Sequence, residues 1–191
     1  MKSFLSFLIL TMFFLGNSAQ EKNSFKDPRD GKVYKTVKIG DQTWFAENLA
    51  FKADFGCWAY DNDESNVKKF GRLYTYGTAK RVCPPGWHLP TKTEFDILLQ
   101  QIGGIGNHAY NQLLPSGKSG FCALLGGIRM NDKFFYIGSI GHFWSTTEIN
   151  SVNAWYLGIT NFVLDAGLCD PNRLKKINNK THAFSIRCIK D

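Results

Sequence analysis

Hydrophobic and polar positions change rhythm along the chain, and each rhythm predicts an element. Val33, Tyr34, Val37 and Ile39 lead into Gly40-Asp41, after which Gln42-Thr43-Trp44 resumes, so residues 32–44 predict a β-hairpin. Residues 51–66 are polar and loop-like. Leu73, Tyr76, Ala79 and Val82 then recur at helical intervals and predict a short helix that Cys83-Pro84-Pro85-Gly86 stops. Thr91 with Glu94 three residues later has the form of a capping box, and Phe95, Leu98, Leu99 and Ile102 follow on one helical face until Gly103-Gly104. Beyond this second helix the chain breaks into short aromatic runs: 121–128, 133–137, 142–145, 154–159 and 183–189, divided by glycines and polar turns. Two helices early and strands late predict an α+β domain whose mainly antiparallel sheet comes from the C-terminal half.

The opening of the chain follows a different rule. Lys2 precedes an apolar run from Phe4 to Leu15, and small or polar residues, Gly16-Asn17-Ser18-Ala19, come next. This is the pattern of a signal peptide, cleaved after Ala19, and the run is shorter than the ~20 residues a membrane span needs. Residues 1–19 are therefore read as signal peptide, 20–31 as a lead-in and 32–191 as one domain, with no transmembrane segment in the mature chain. Roughly 170 residues can bury one sizeable core. The expected destination is the periplasm, the cell surface or the medium.

Charge and cysteine content refine this. The net charge is +7, but the basic residues are scattered and the densest group is Arg173, Lys175 and Lys176. A solvated face accounts for that, and nucleic acid is not an expected partner. Five cysteines, Cys57, Cys83, Cys122, Cys169 and Cys188, lie beyond the signal sequence. In an oxidising compartment they predict disulfides, with one thiol left over and spacing alone unable to choose the pairing.

Several motifs in order resemble one family, the Fibrobacter succinogenes major paralogous domain. They are Ile39-Gly40-Asp41-Gln42-Thr43-Trp44-Phe45-Ala46-Glu47-Asn48-Leu49, Gly71-Arg72-Leu73-Tyr74-Thr75-Tyr76, and Cys83-Pro84-Pro85-Gly86-Trp87-His88-Leu89-Pro90-Thr91. Phe143-Trp144-Ser145-Thr146-Thr147-Glu148, Ala154-Trp155-Tyr156 and the ending Phe184-Ser185-Ile186-Arg187-Cys188-Ile189-Lys190-Asp191 complete the series. The central block, with Ala79, Cys83, Gly86, His88, Leu89 and Glu94, also resembles the C-type lectin-like fold. That resemblance implies a Cys83–Cys188 disulfide, which closes a loop of about 100 residues worth roughly 4.7 kcal/mol in a chain-entropy account. A second bridge would come from Cys57, Cys122 and Cys169. Cys57 either pairs with Cys169 or stays free.

The resemblance implies a secreted, non-catalytic binding module for a glycan or protein at the cell surface. Its alternatives are a structural component of the envelope and an enzyme related to the formylglycine-generating fold. Asp170-Pro171-Asn172 echoes one sugar-binding calcium loop of C-type lectins, which makes Asp170 and Asn172 candidate ligand residues. Asp61 and Asp63, alternating with Ser65, have oxygen spacing that suits a hard cation such as calcium, although the central glycine and distal glutamate of an EF-hand are missing. Trp58 and Tyr60 stand beside this acidic loop, where they can stack on a sugar or seal the core edge. Trp44, Trp87, Trp144 and Trp155 are read as core. The four histidines, His88, His108, His142 and His182, show no metal-ligand spacing and no fixed carboxylate partner, and His88 is read as a packing or hydrogen-bonding residue.

Overall fold

A computed structural model describes residues 23–169 and 179–191. The signal-peptide cleavage site and the Asp170-Pro171-Asn172 tripeptide lie outside them. The strands form three sheets whose ladders are antiparallel. Among the described residues no helix is long and apolar enough to cross a membrane.

The hairpin forms as its pattern predicts. Strands β2 (Val33–Ile39) and β3 (Gln42–Phe45) meet at a turn that pairs Ile39 with Gln42, and Gly40 adopts φ 59° there. Alternation sends Trp44 and Ile39 to one face and Tyr34 and Phe45 to the other, where those two rings stack at 4.6 Å. The supposed lead-in also joins this sheet, since β1 (Ser24–Lys26) pairs with β2.

The expectation of one sheet built mainly from the C-terminal half holds only in part: the strands form three sheets, and the first takes four of its five strands from the N-terminal half. The last strand, β13 (Ile189–Lys190), pairs with Trp44 of β3 on one side and with β6 (Trp87–His88) on the other. Chain ends thus close one five-stranded sheet, ordered β1-β2-β3-β13-β6. A second comprises β9 (Ile140–Glu148), β10 (Ala154–Thr160) and β11 (Asp165–Cys169).

The third sheet corrects another expectation. Leu73–Thr75 is a strand, β5, and only Tyr76–Ala79 is helical, as the single turn α2. Leu73 pairs with Trp58 and Tyr74 with Cys57, both in β4 (Cys57–Trp58), while Tyr74 also faces Phe184 of β12 (Ala183–Phe184). Partners on both edges outweigh a helical spacing that spans a strand–helix junction. β7 (Ile128–Met130) and β8 (Lys133–Phe135) complete this sheet. Two 3₁₀ turns, Tyr60–Asn62 and Glu64–Asn66, lead into the single α-helical turn α1 (Val67–Phe70).

The capping-box helix is α3 (Lys92–Gln101), with Phe95, Leu98 and Leu99 buried. Thr91 Oγ1 accepts from the Glu94 N–H at 3.1 Å, and Glu94 accepts from the Thr91 N–H at 2.7 Å. A further helix, α4 (Asn107–Leu113), was not anticipated because Gly106 rather than a side-chain cap starts it. It buries Ala109, Tyr110 and Leu113 against the same core.

Residues 121–126, expected as strand, have no regular structure; Gly127 makes an isolated bridge with Gly141, a ladder begins only at Ile128, and Cys122 sits at φ 50°. Their carbonyls find other donors. Arg187, fully buried, donates to the carbonyls of Phe121, Cys122 (2.6 Å) and Phe45 (3.1 Å), and through Nε to Asn48 Oδ1 at 2.9 Å. Asn48 in turn donates to Phe70 O at 2.8 Å and Leu124 O at 3.1 Å. Phe121 and Phe143 lie 4.7 and 5.7 Å from the guanidinium. Burial pushes Arg187 down to about 9, so it stays charged at neutral pH. Carbonyl dipoles hold the buried charge in place of a carboxylate.

The Cys83–Cys188 disulfide is present, with Cα atoms 5.9 Å apart and 105 residues of separation. The second bridge, Cys57–Cys169, is not formed; Cys57, Cys122 and Cys169 are free thiols. Cys57 lies on β4 and Cys169 ends β11, which belong to different sheets.

Candidate functional site

The residues singled out beside the acidic loop turn inward. Tyr60 is 8% exposed and packs with Phe134 at 5.3 Å. The face of Trp58 is covered by Arg129, whose guanidinium lies 3.9 Å from the ring. Both aromatic residues seal the edge of the third sheet. Asp63 accepts the Ser65 N–H at 2.9 Å, and Glu64 pairs with Arg72 at 2.5 Å, which ties the loop to the core. Asp61 has φ 55° in a turn. Among the described residues no group of three or more His, Cys, Asp or Glu side chains is placed to hold a metal ion.

His88 has two carboxylate partners that sequence spacing did not reveal. Its Nδ1 meets Asp191 Oδ1 at 2.7 Å and its Nε2 meets Glu94 Oε1 at 2.8 Å. Burial acts to lower the His88 pKa, but bonds to Asp191 and Glu94 outweigh it and the net shift is upward. Glu94 moves down: burial opposes this, and bonds from Thr91 and His88 prevail. The trio clasps β6 and the residue after β13 to the start of α3.

One pocket, of about 430 Å³, lies between α3 and the edge of the three-stranded sheet. Gly158 pairs with His142 on one side and with Gly167 on the other, so two glycines floor the pocket beside a histidine. A Cβ at Gly158 would stand 2.6 Å from Cys169 Sγ and 3.7 Å from His142 Cδ2, which requires glycine there. Trp155, half-buried, is at the pocket rather than in the core as expected, and Lys92 Nζ lies 5.2 Å above its ring. Lys92 also pairs with Asp96 at 2.6 Å, one helical turn on. Asp165, Thr160 and Ile105 contribute the remaining rim.

Burial shifts both the imidazole and the thiol that line the pocket. Burial, with His182 nearby, pushes His142 down to about 3, so its imidazole is neutral, and its Nδ1 is buried without a hydrogen-bond partner. Burial raises the Cys169 thiol against a weaker lowering by Tyr156 and Gly158. A protonated thiol beside a neutral imidazole lacks the charge separation that activates a cysteine nucleophile. What the walls offer a ligand is an indole face, two carboxylates and a hydroxyl.

Sequence reasoning missed this pocket. The available signal was the glycine pair inside two strands, where backbone surface is laid bare.

Fold and pocket define a disulfide-closed, mainly antiparallel α+β domain with a polar–aromatic pocket on the side of one sheet. The family model for the Fibrobacter succinogenes major domain matches residues 37–190, and the chain belongs to that family. Comparison with curated proteins and with solved structures gives no match.

Proposed function

We propose that the chain is an exported, non-catalytic binding module of C-type lectin-like architecture, and that its ligand is a glycan seated between α3 and the three-stranded sheet. The observation that carries the reading is that half-buried Trp155 lines one pocket together with Asp96, Asp165, Thr160 and the paired glycines Gly158 and Gly167. Sugars present apolar ring faces for stacking and hydroxyls that donate to carboxylates, and a volume near 430 Å³ is within the ~300–1,000 Å³ range of small-molecule pockets. Support for the architecture comes from first and last strands sharing a sheet, and from a disulfide joining the segment after α2 to the residue before β13. Support for export comes from the leader-like residues 2–19.

The test is a glycan array probed with the oxidised protein, with calcium and with a chelator, followed by Trp155→Ala. Specific binding abolished by this substitution supports the reading. Binding to no glycan, or binding indifferent to Trp155, overturns it. Protein partners captured without glycan affinity would favour an envelope assembly role, for which the exposed tip Phe162-Val163-Leu164 is a ready contact.

A further inference from the structure

The five-stranded sheet carries a second groove, of about 380 Å³, on the face opposite α3. Register places its charges. Lys38 pairs with Thr43, and because Trp44 pairs with Ile189, Thr43 falls opposite Lys190. Residues opposed in antiparallel strands share a face, so Lys38, Thr43 and Lys190 form one row across β2, β3 and β13. Two strand spacings separate the lysines, roughly 10 Å. Thr36, half-buried, adds a hydroxyl two residues from Lys38, and Asn23 and Ser24 form the wall. Phe25 and Trp87, 5.3 Å apart, close the inner end with aromatic surface.

Among the described residues neither ammonium group has a counter-ion, a condition shared with exposed lysines such as Lys35 and Lys133, but only Lys38 and Lys190 lie together in a groove. Arg29, Arg72, Lys80, Lys92, Arg129 and Lys180 each hold a carboxylate. Lys38 and Lys190 hold none, and the carboxylate next in sequence to Lys190, Asp191, is engaged by His88 at 2.7 Å. Asp41, in the adjoining hairpin turn, forms no ion pair with either lysine. Two unneutralised cations flanking a row of hydroxyls create a positive potential inside a concave surface.

We infer that this groove is a second binding site, independent of the Trp155 pocket, and that it takes an acidic polysaccharide bearing carboxylate or sulfate groups. The lysines neutralise the anionic substituents, the threonines and Asn23 meet sugar hydroxyls, and the Phe25–Trp87 end receives a ring face. A polyanion without hydroxyl-rich rings would use the charges alone.

The experiment is calorimetric titration of the oxidised protein with oligogalacturonate, a heparin-derived oligosaccharide, a neutral cello-oligosaccharide, duplex DNA and anionic phospholipid vesicles. The acidic oligosaccharides bind, more weakly as salt rises, and the neutral one does not. Lys38→Gln with Lys190→Gln lowers their affinity about tenfold or more with the thermal midpoint preserved. The control Lys35→Gln with Lys133→Gln, at exposed lysines outside the groove, changes it less than about twofold. Equal losses in both double variants, or equal lysine-dependent binding of DNA or vesicles, would overturn the assignment, as would no binding of either acidic oligosaccharide. Trp155→Ala leaves this affinity unchanged, which separates the site from the first pocket.

Discussion

The sheet that joins the chain ends and the sheet that carries the Trp155 pocket are both antiparallel, yet they are held by different means. The first is cross-linked by side chains: Arg187 bonded to residues 45, 48, 121 and 122, the Cys83–Cys188 bridge, and the His88 clasp. Even Asp27, completely buried, is locked by Arg29, which also donates to Val82 O at 2.8 Å. Among the described residues the second sheet has no such buried charge or disulfide; it relies on its backbone ladder, on Leu157, Ile159 and Ala166 packing with α3 and α4, and on bonds made mainly by β9, such as Trp144 Nε1 to Tyr74 O at 2.7 Å and the Tyr76 hydroxyl to Thr146 O at 2.8 Å. It exposes Phe162 (63%), Val163 (73%) and Leu164 (46%) at the β10–β11 tip, where Phe162 meets Tyr136 edge-on. Within the second sheet the long-range bonds gather on β9 and the start of β10, and the cavity lies toward β11, where Gly158 and Gly167 pair.

The largest effect should come from breaking the fastened region. Arg187→Met leaves several buried carbonyls and Asn48 without donors, and we expect a loss of about 4 kcal/mol or more by denaturant titration, or no folded protein. Arg187→Lys, which keeps the charge but not the fork, should lie between that variant and the native chain. Removing the disulfide with Cys83→Ser and Cys188→Ser should cost about 3 kcal/mol in the same assay.

Gly158→Ala should cost about 1–3 kcal/mol because the new methyl meets Cys169 Sγ. Gly158→Ala combined with Cys169→Ala should recover most of that loss, a non-additivity expected of touching residues. Full additivity would mean that the close approach has no energetic weight.

The two regions also differ in their response to pH. His142 has a depressed pKa, so its contribution is complete above the ordinary imidazole value of about 6.5 and is lost as pH falls toward about 3. The clasp contributes in two opposed ways. His88, with a raised pKa, stabilises below its ordinary value and loses that contribution as pH rises through its folded value. Glu94, with a lowered pKa, loses its contribution as pH falls through its own folded value. The clasp is therefore strongest between the ordinary carboxylate and imidazole values, about 4.3 and 6.5. His142→Phe should flatten the acid limb of a stability–pH curve. His88→Gln should flatten the limb above pH 6.5, by about 1 kcal/mol at most for so exposed a group. An unchanged curve in either variant would contradict the corresponding assignment.

The smallest expected effect is Trp155→Ala on stability, below about 1 kcal/mol for a half-buried rim residue.

What was legible in the sequence follows the same division. The hairpin, the capping-box helix and the terminal motif were visible because local spacing and caps determine them. The motifs that carry the family resemblance include Trp44, Asn48, Cys83, Trp144, Arg187 and Cys188, all within the frame or packed against it. The pocket was hidden because it depends on Gly158, Gly167 and His142 coming abreast on three strands, a register that local pattern does not specify. Residues 121–128 were misread for a related reason: their hydrogen bonds go to a side chain more than sixty residues away. Trp58 and Tyr60 drew attention by their polar sequence neighbours, yet Arg129 and Phe134 reach them from another part of the third sheet.

The central claim is that the Trp155 pocket binds sugar on a frame that does not depend on it. The direct measurement is calorimetric titration of the strongest array-selected glycan into the native protein and into Trp155→Ala, alongside thermal unfolding of both. The account predicts that binding is lost while the unfolding midpoint barely moves. Retained binding in Trp155→Ala, with the fold intact, would contradict it.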